Sequence, residues 1–177
     1  HHSSTHLVHA ALREVLGDHV QQKGSLVDEN KLRFDFSHTK PLTTDEILKI
    51  ETIVNKEALK NLKVETKLMS LDDALNSGAM ALFGEKYDDD VRVLTMGENS
   101  YSVELCGGTH VDRTGDVGFF TITSQSSVAS GVRRIEAVAG MRAIEHFNNV
   151  RNASNSIQAL LNVPLDDIEE KIKSLVK

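Results

Sequence analysis

The sequence holds one cysteine, Cys106, in 177 residues, which excludes an intramolecular disulfide. It has no apolar run of membrane-spanning length and no secretory leader pattern, so neither a membrane partner nor export is expected. An excess of positive charge is also missing: 20 Lys and Arg against 26 Asp and Glu leave a formal net charge of −6. Nucleic-acid binders that act alone draw most of their affinity from phosphate contacts, so RNA binding by this chain in isolation is expected to be weak. There is no internal repeat, no low-complexity segment and no opening methionine. The last of these, with a helical pattern at the end of the chain, leads us to expect an internal piece of a longer protein. A single thiol and several histidines suit a reducing cytoplasm. The length allows a sizeable core and one domain with an appendage.

Two short signatures stand out against these absences. His2-Ser3-Ser4-Thr5-His6 places two imidazoles four residues apart, on one face of a helix. Cys106-Gly107-Gly108-Thr109-His110 places a thiol and an imidazole at the same spacing, across two glycines expected to let the chain turn tightly. Three imidazoles and one thiolate suit tetrahedral zinc, with bonds of about 2.0–2.1 Å to nitrogen and about 2.3 Å to sulfur. We read His2, His6, Cys106 and His110 as one Zn2+ site assembled from two distant segments. Two surface histidines and a buried inert thiol are the plainer alternative. A thiol hydrolase using Cys106 as nucleophile and His110 as base is another, and it predicts a reactive rather than a metal-bound sulfur. A metalloprotease is excluded, because Ser3, Ser4 and Thr5 offer no glutamate between the histidines. His9, one turn beyond His6, is the residue most easily mistaken for a ligand.

The pattern along the chain predicts an α+β fold: a mostly antiparallel sheet packed with helices around a zinc-binding cleft, then a helical C-terminal tail. Residues 2–17 read as a helix with Leu7, Ala11 and Val15 on its apolar face and Gly17 at its end. Residues 25–38 read as a hairpin, with Leu32, Phe34 and Phe36 alternating after the turn Asp28-Glu29-Asn30. A helix with a capping box at Thr43 and Glu46 follows, then a strand through Val64, Thr66 and Leu68 and a short helix from Ser70 to Gly78. Strands are expected at 91–96, 100–106, 117–123 and 133–138, and helices at 141–161 and around Ile168, Ile172 and Leu175 after a break at Pro164. The expected division is a site-bearing domain over 1–140 and a helical connector over 141–177.

These motifs, with Gln22-Lys23-Gly24-Ser25-Leu26-Val27, Leu32-Arg33-Phe34-Asp35-Phe36-Ser37-His38 and Gly131-Val132-Arg133-Arg134-Ile135-Glu136-Ala137 in the same order, resemble the editing domain of bacterial alanyl-tRNA synthetases. That family is related to the second additional domain of threonyl-tRNA synthetase and to free-standing alanyl-tRNA editing proteins. His1 stands where the family usually has asparagine, and Ser4 where it usually has alanine; neither is expected to be a ligand. The resemblance implies a hydrolase that cleaves serine or glycine from the 3′ end of tRNA(Ala), partnered by the rest of an alanine-tRNA ligase that uses ATP and that this piece would not replace. A pocket sized for a methyl group separates such substrates by only about 1–3 kcal/mol, which is why a second, hydrolytic site is needed. Thr5 is the candidate hydroxyl that tells serine from alanine, and Gln22, Ser25 and Arg133 are the other candidate catalytic residues. Lys23, Gly24, Gly107, Gly108, Thr109 and Arg134 are candidates for holding the tRNA end, with Arg113 and Lys86 as further phosphate contacts. On strand alternation, one of Arg133 and Arg134 faces the cleft, and the family pattern favours Arg133. A zinc-stabilised tRNA-binding module without catalysis is the alternative.

Overall fold

A computed structural model describes residues 1–81 and 87–176. The chain begins with helix α1, His2–Leu16, whose residues Leu7, Val8, Ala11 and Leu12 are completely buried. Its first turn has no side-chain cap; the hydroxyls of Ser4 and Thr5 instead donate to the carbonyl of His1. Gly17, at φ 117°, ends the helix by donating its N–H to the Arg13 carbonyl, a backbone conformation that side chains other than glycine's resist. Strands β1 (Gln22–Val27) and β2 (Leu32–Ser37) form the expected hairpin. β1 starts earlier than the sequence pattern suggested, so the Gln22-Lys23-Gly24-Ser25 stretch lies on a sheet edge rather than in a loop, with a register irregularity between Gln22 and Gly24. Helix α2, Thr44–Leu59, opens on the capping box, Thr43 N–H to Glu46 Oε2 at 2.7 Å and Glu46 N–H to Thr43 Oγ1 at 3.2 Å.

After β3 (Glu65–Ser70) and α3 (Leu71–Asn76) come β4 (Asp90–Met96) and β5 (Ser102–Leu105). The positive φ of Asn99 and Ser100 keeps both in the turn, which makes β5 shorter than the alternation implied. A 3-10 turn at Thr114–Val117 takes up the start of the expected 117–123 strand, so β6 runs over Phe120–Ala129 and pairs with β7, Val132–Ala139. Helices α4 (Met141–Leu161) and α5 (Ile168–Leu175) close the chain.

Among the described residues seven strands pair antiparallel, in two sheets rather than one: β1-β2-β7-β6 and β3-β4-β5. The main core lies between α1, α2 and the inner face of the four-stranded sheet, where Leu32, Phe34, Phe36 and Ile135 are fully buried. A smaller cluster, Ala74, Ala79, Val91, Val93 and Leu105, sits against the second sheet. Strand β5 belongs to both environments. Its odd positions, Val103 and Leu105, pack on the small cluster, while Glu104 faces α1 and Cys106 follows in the same alternation. A slip of one residue would exchange a carboxylate and a thiol for two aliphatic groups, so burial on both faces sets the register.

Candidate metal centre

Helix α1 supplies His2 and His6 one turn apart, and the end of β5 with the following loop supplies Cys106 and His110. One ligand atom from each of these four residues lies within 4.8 Å of the others. His110 Nε2 is 3.2 Å and His2 Nε2 is 3.6 Å from Cys106 Sγ. The ring centroids of His2 and His110 are 4.4 Å apart, and those of His6 and His110 are 4.9 Å apart.

The glycines between Cys106 and His110 act differently from the expectation. Neither adopts a positive φ. What Gly108 provides is room: a Cβ there would lie 2.1 Å from His2 Cε1, inside the imidazole, whereas a Cβ at Gly107 would meet nothing within 4 Å. The loop therefore passes under the His2 ring at a distance that only glycine permits.

Two residues that sequence reasoning passed over hold the ligands from behind. Glu104, 3% exposed, accepts from His6 Nδ1 at 2.5 Å and from His9 Nδ1 at 2.8 Å. Ser3, 4% exposed, is 3.3 Å from His110 Nδ1 and accepts the Val111 N–H at 3.1 Å. The only signals available were position ones: Ser3 beside a ligand, and Glu104 two residues before Cys106 on the same strand face. His9 is thereby assigned to Glu104 and not to the four-residue cluster.

The electrostatics follow from this packing. Burial alone would raise the Cys106 thiol, but the imidazoles of His110, His2 and His6 outweigh it and bring the pKa down to about 3. Burial alone would lower His6, and the sulfur of Cys106 and the carboxylate of Glu104 reverse that, raising it to about 9. Burial would raise Glu104, and the two histidines hold it instead at about 2. His6 Nε2 is buried with no hydrogen-bond partner, although Nδ1 of the same ring is engaged. An unpartnered buried nitrogen beside a thiolate and two more imidazoles is a donor set that fits a tetrahedral thiophilic cation such as zinc.

The other expected site residues are distributed more widely. Thr5 is buried and its hydroxyl donates to the His1 carbonyl at 3.2 Å. Gln22 Nε2 donates to Ser25 Oγ at 3.2 Å, and both share the sheet face of Phe34 and Phe36. Gln22 also lines, with His9, Arg13 and Met80, a cavity of about 240 Å3. Arg133 pairs across the sheet with Phe36 on that inner face and donates to Gln125 Oε1 at 3.1 Å. Arg134 is on the opposite face, where its Nε and terminal nitrogen bind Asp35 at 2.6 and 2.8 Å. Gly24 lies across from Asp35, Lys23 Nζ is 3.4 Å from Gln21 Oε1, and Thr109 is exposed. Arg113 donates to the side chain and backbone of Asn61. Lys86 falls outside the described residues. No described helix is long and apolar enough to cross a membrane.

Comparison with known proteins bears on the family the chain resembles. The model of the "Threonyl and Alanyl tRNA synthetase second additional domain" matches residues 91–136, a span that contains Cys106 and His110 but not His2 or His6. Alanine-tRNA ligase of Aromatoleum aromaticum is 56% identical over 175 residues, which is 99% of this chain. The chain spans about one fifth, 20%, of the length of that relative. By sequence, then, the chain is similar over nearly its whole length to a piece of an alanine-tRNA ligase, and within it residues 91–136 match the second additional domain of threonyl and alanyl tRNA synthetases.

Proposed function

We propose that this chain is the editing module of an alanine-tRNA ligase, hydrolysing the ester that links serine or glycine to the 3′ end of tRNA(Ala) at a zinc-containing site. The observation that carries the reading is the convergence of His2, His6, Cys106 and His110, with a buried unpartnered nitrogen among them, in a chain related to that ligase. Bound zinc would supply Lewis acidity and a fixed point for the tRNA terminus. The protein's own contribution is positional. The α1 helix and the Cys106–His110 loop hold four donors in one place, and the buried Glu104 and Ser3 stop their rings from turning.

Around this point we place the remaining candidates. Thr5 precedes a ligand and carries the hydroxyl that would sort serine from alanine, by exchanging its bond to His1 for one to the substrate. Gln22 and Ser25, hydrogen-bonded to each other at the sheet edge, would orient water or the terminal adenosine. Arg133, held by Gln125, would meet the phosphate chain, and Lys23, Gly24, Gly107 and Thr109 would border the tRNA end. With a net charge of −6, selection of the right tRNA falls to the remainder of the synthetase, and so does the ATP-dependent attachment of alanine. A bacterial cytoplasm is the corresponding location.

The test is deacylation of seryl- and alanyl-tRNA(Ala) by this chain, with and without a chelator, beside a metal assay. Selective hydrolysis of the seryl ester that disappears with the metal is the expected result. Bound zinc without ester cleavage, in both this chain and the complete synthetase, would favour a tRNA-binding module that does no chemistry.

A further inference from the structure

We infer that Glu104 is a positioning residue that fixes the proton on Nδ1 of His6, and that His9 is the strut that keeps Glu104 in place. The inference rests on the metal reading above, and it concerns groups that are not themselves ligands.

An imidazole can offer a lone pair to a cation from Nε2 only while its proton sits on Nδ1, and which nitrogen carries the proton is set by the partner of the other. At His6 that partner is a carboxylate oxygen of Glu104, which has no proton to give and can only accept. This arrangement leaves Nδ1 of His6 protonated and Nε2 turned to the cluster. His110 Nε2 is 3.2 Å from Cys106 Sγ, and His6 Nε2 is buried without a partner.

His9 explains why a single carboxylate can hold its orientation. It occupies the other oxygen of Glu104 at 2.8 Å, is 5% exposed, and has its ring 5.2 Å from that of Phe34 in the core. A carboxylate anchored on both oxygens cannot rotate to release His6. Helical spacing puts His2, His6 and His9 on one face of α1, so the same face that donates two ligands also donates the support of one of them.

The decisive variant is Glu104→Gln. A carboxamide has the same shape but one accepting oxygen and one donating nitrogen, so it cannot accept from both histidines. In 15N NMR of the zinc-free chain, the parent is expected to show exchange-protected Nδ1–H signals from His6 and His9, and Glu104→Gln to lose one of them. Zinc affinity, measured by competition with a chelator, is expected to fall about 10- to 100-fold. His9→Ala keeps the inference testable if Glu104→Gln does not fold, since loss of the strut is expected to weaken the protection of the His6 Nδ1–H. His9→Asn, which retains a donor near the position of Nδ1, is expected to restore affinity to within about threefold of the parent, and His9→Ala is not.

Zinc affinity in Glu104→Gln within about twofold of the parent, with His6 still protected, would overturn the inference. So would a loss of affinity in both Glu104→Gln and His9→Ala with the His6 Nδ1–H still protected, since that would mark a merely structural role. A parent chain that takes up no zinc would overturn the metal reading instead, while the zinc-free NMR comparison would still decide the proton assignment.

Discussion

Placing a methyl group on Gly108 tests the site at its tightest point. The added Cβ would lie 2.1 Å from His2 Cε1 and 2.7 Å from His2 Nδ1. Ordinary contact begins at 3.4 Å, so the ring must retreat by the difference, about 1.3 Å, or the loop must move by as much. A metal-ligand bond tolerates only about 0.2 Å. His2 therefore cannot keep its place in the cluster beside alanine, and Gly108→Ala is expected to weaken zinc binding at least about tenfold, comparable with the loss of a supporting residue. The fold should not suffer, because Gly108 has no positive φ to be strained and alanine restricts the unfolded chain. Gly107→Ala supplies the matched control: same loop, same substitution, no atom within 4 Å of the new Cβ. Chelator competition on the two variants, with thermal unfolding of the zinc-free forms, makes the comparison. Equal zinc affinities for the two variants would refute the steric reasoning and return the glycines to a flexibility role.

Three further outcomes are expected. In the zinc-free chain Cys106 should be alkylated by iodoacetamide at mildly acid pH, since its pKa lies at about 3, and zinc should protect it; labelling that zinc leaves unchanged, with loss of hydrolysis, would favour a thiol hydrolase. Glu104 is held at about 2 by His6 and His9 against its burial, below the ordinary carboxylate value, so the stability it contributes is complete above that ordinary value and is lost as the pH falls through about 2. Urea unfolding of the zinc-free chain from about pH 6 to about pH 2.5 should show that decline, and an equally steep one in Glu104→Gln would remove Glu104 as its source. Phe34→Ala, at a fully buried position where β2 faces the helices, should cost about 3–5 kcal/mol in the same assay, and a loss below about 1 kcal/mol would mean that the core closes around the gap.

Legibility varied from element to element for physical reasons. The capping box at Thr43 and Glu46 and the alternation of Leu32, Phe34 and Phe36 are local patterns, and the structure contains them where the pattern lies. The start of β1 and the start of β6 were misjudged. A sheet edge at Gln22 depends on which strand lies alongside, and although Thr114-Gly115-Asp116 reads as a turn, nothing local signals that the 3-10 turn takes in Val117 and holds the strand back to Phe120. Strand alternation put Arg133 and Arg134 on opposite faces, and it could not foretell that Arg134 would be taken up by Asp35. That pair is made across strands whose residues are 99 positions apart.

By itself the sequence determined the donor chemistry: two imidazoles one helical turn apart, and a thiol and an imidazole joined by a short loop, since side-chain identity and helical spacing are local properties. Only the tertiary structure decided that the two pairs meet, that His9 serves Glu104 and not the cluster, and that Gly108 is there for the His2 ring. Each of those facts is a distance between segments about a hundred residues apart, set by the packing of α1 against β5 and by the register that turns Glu104 and Cys106 inward.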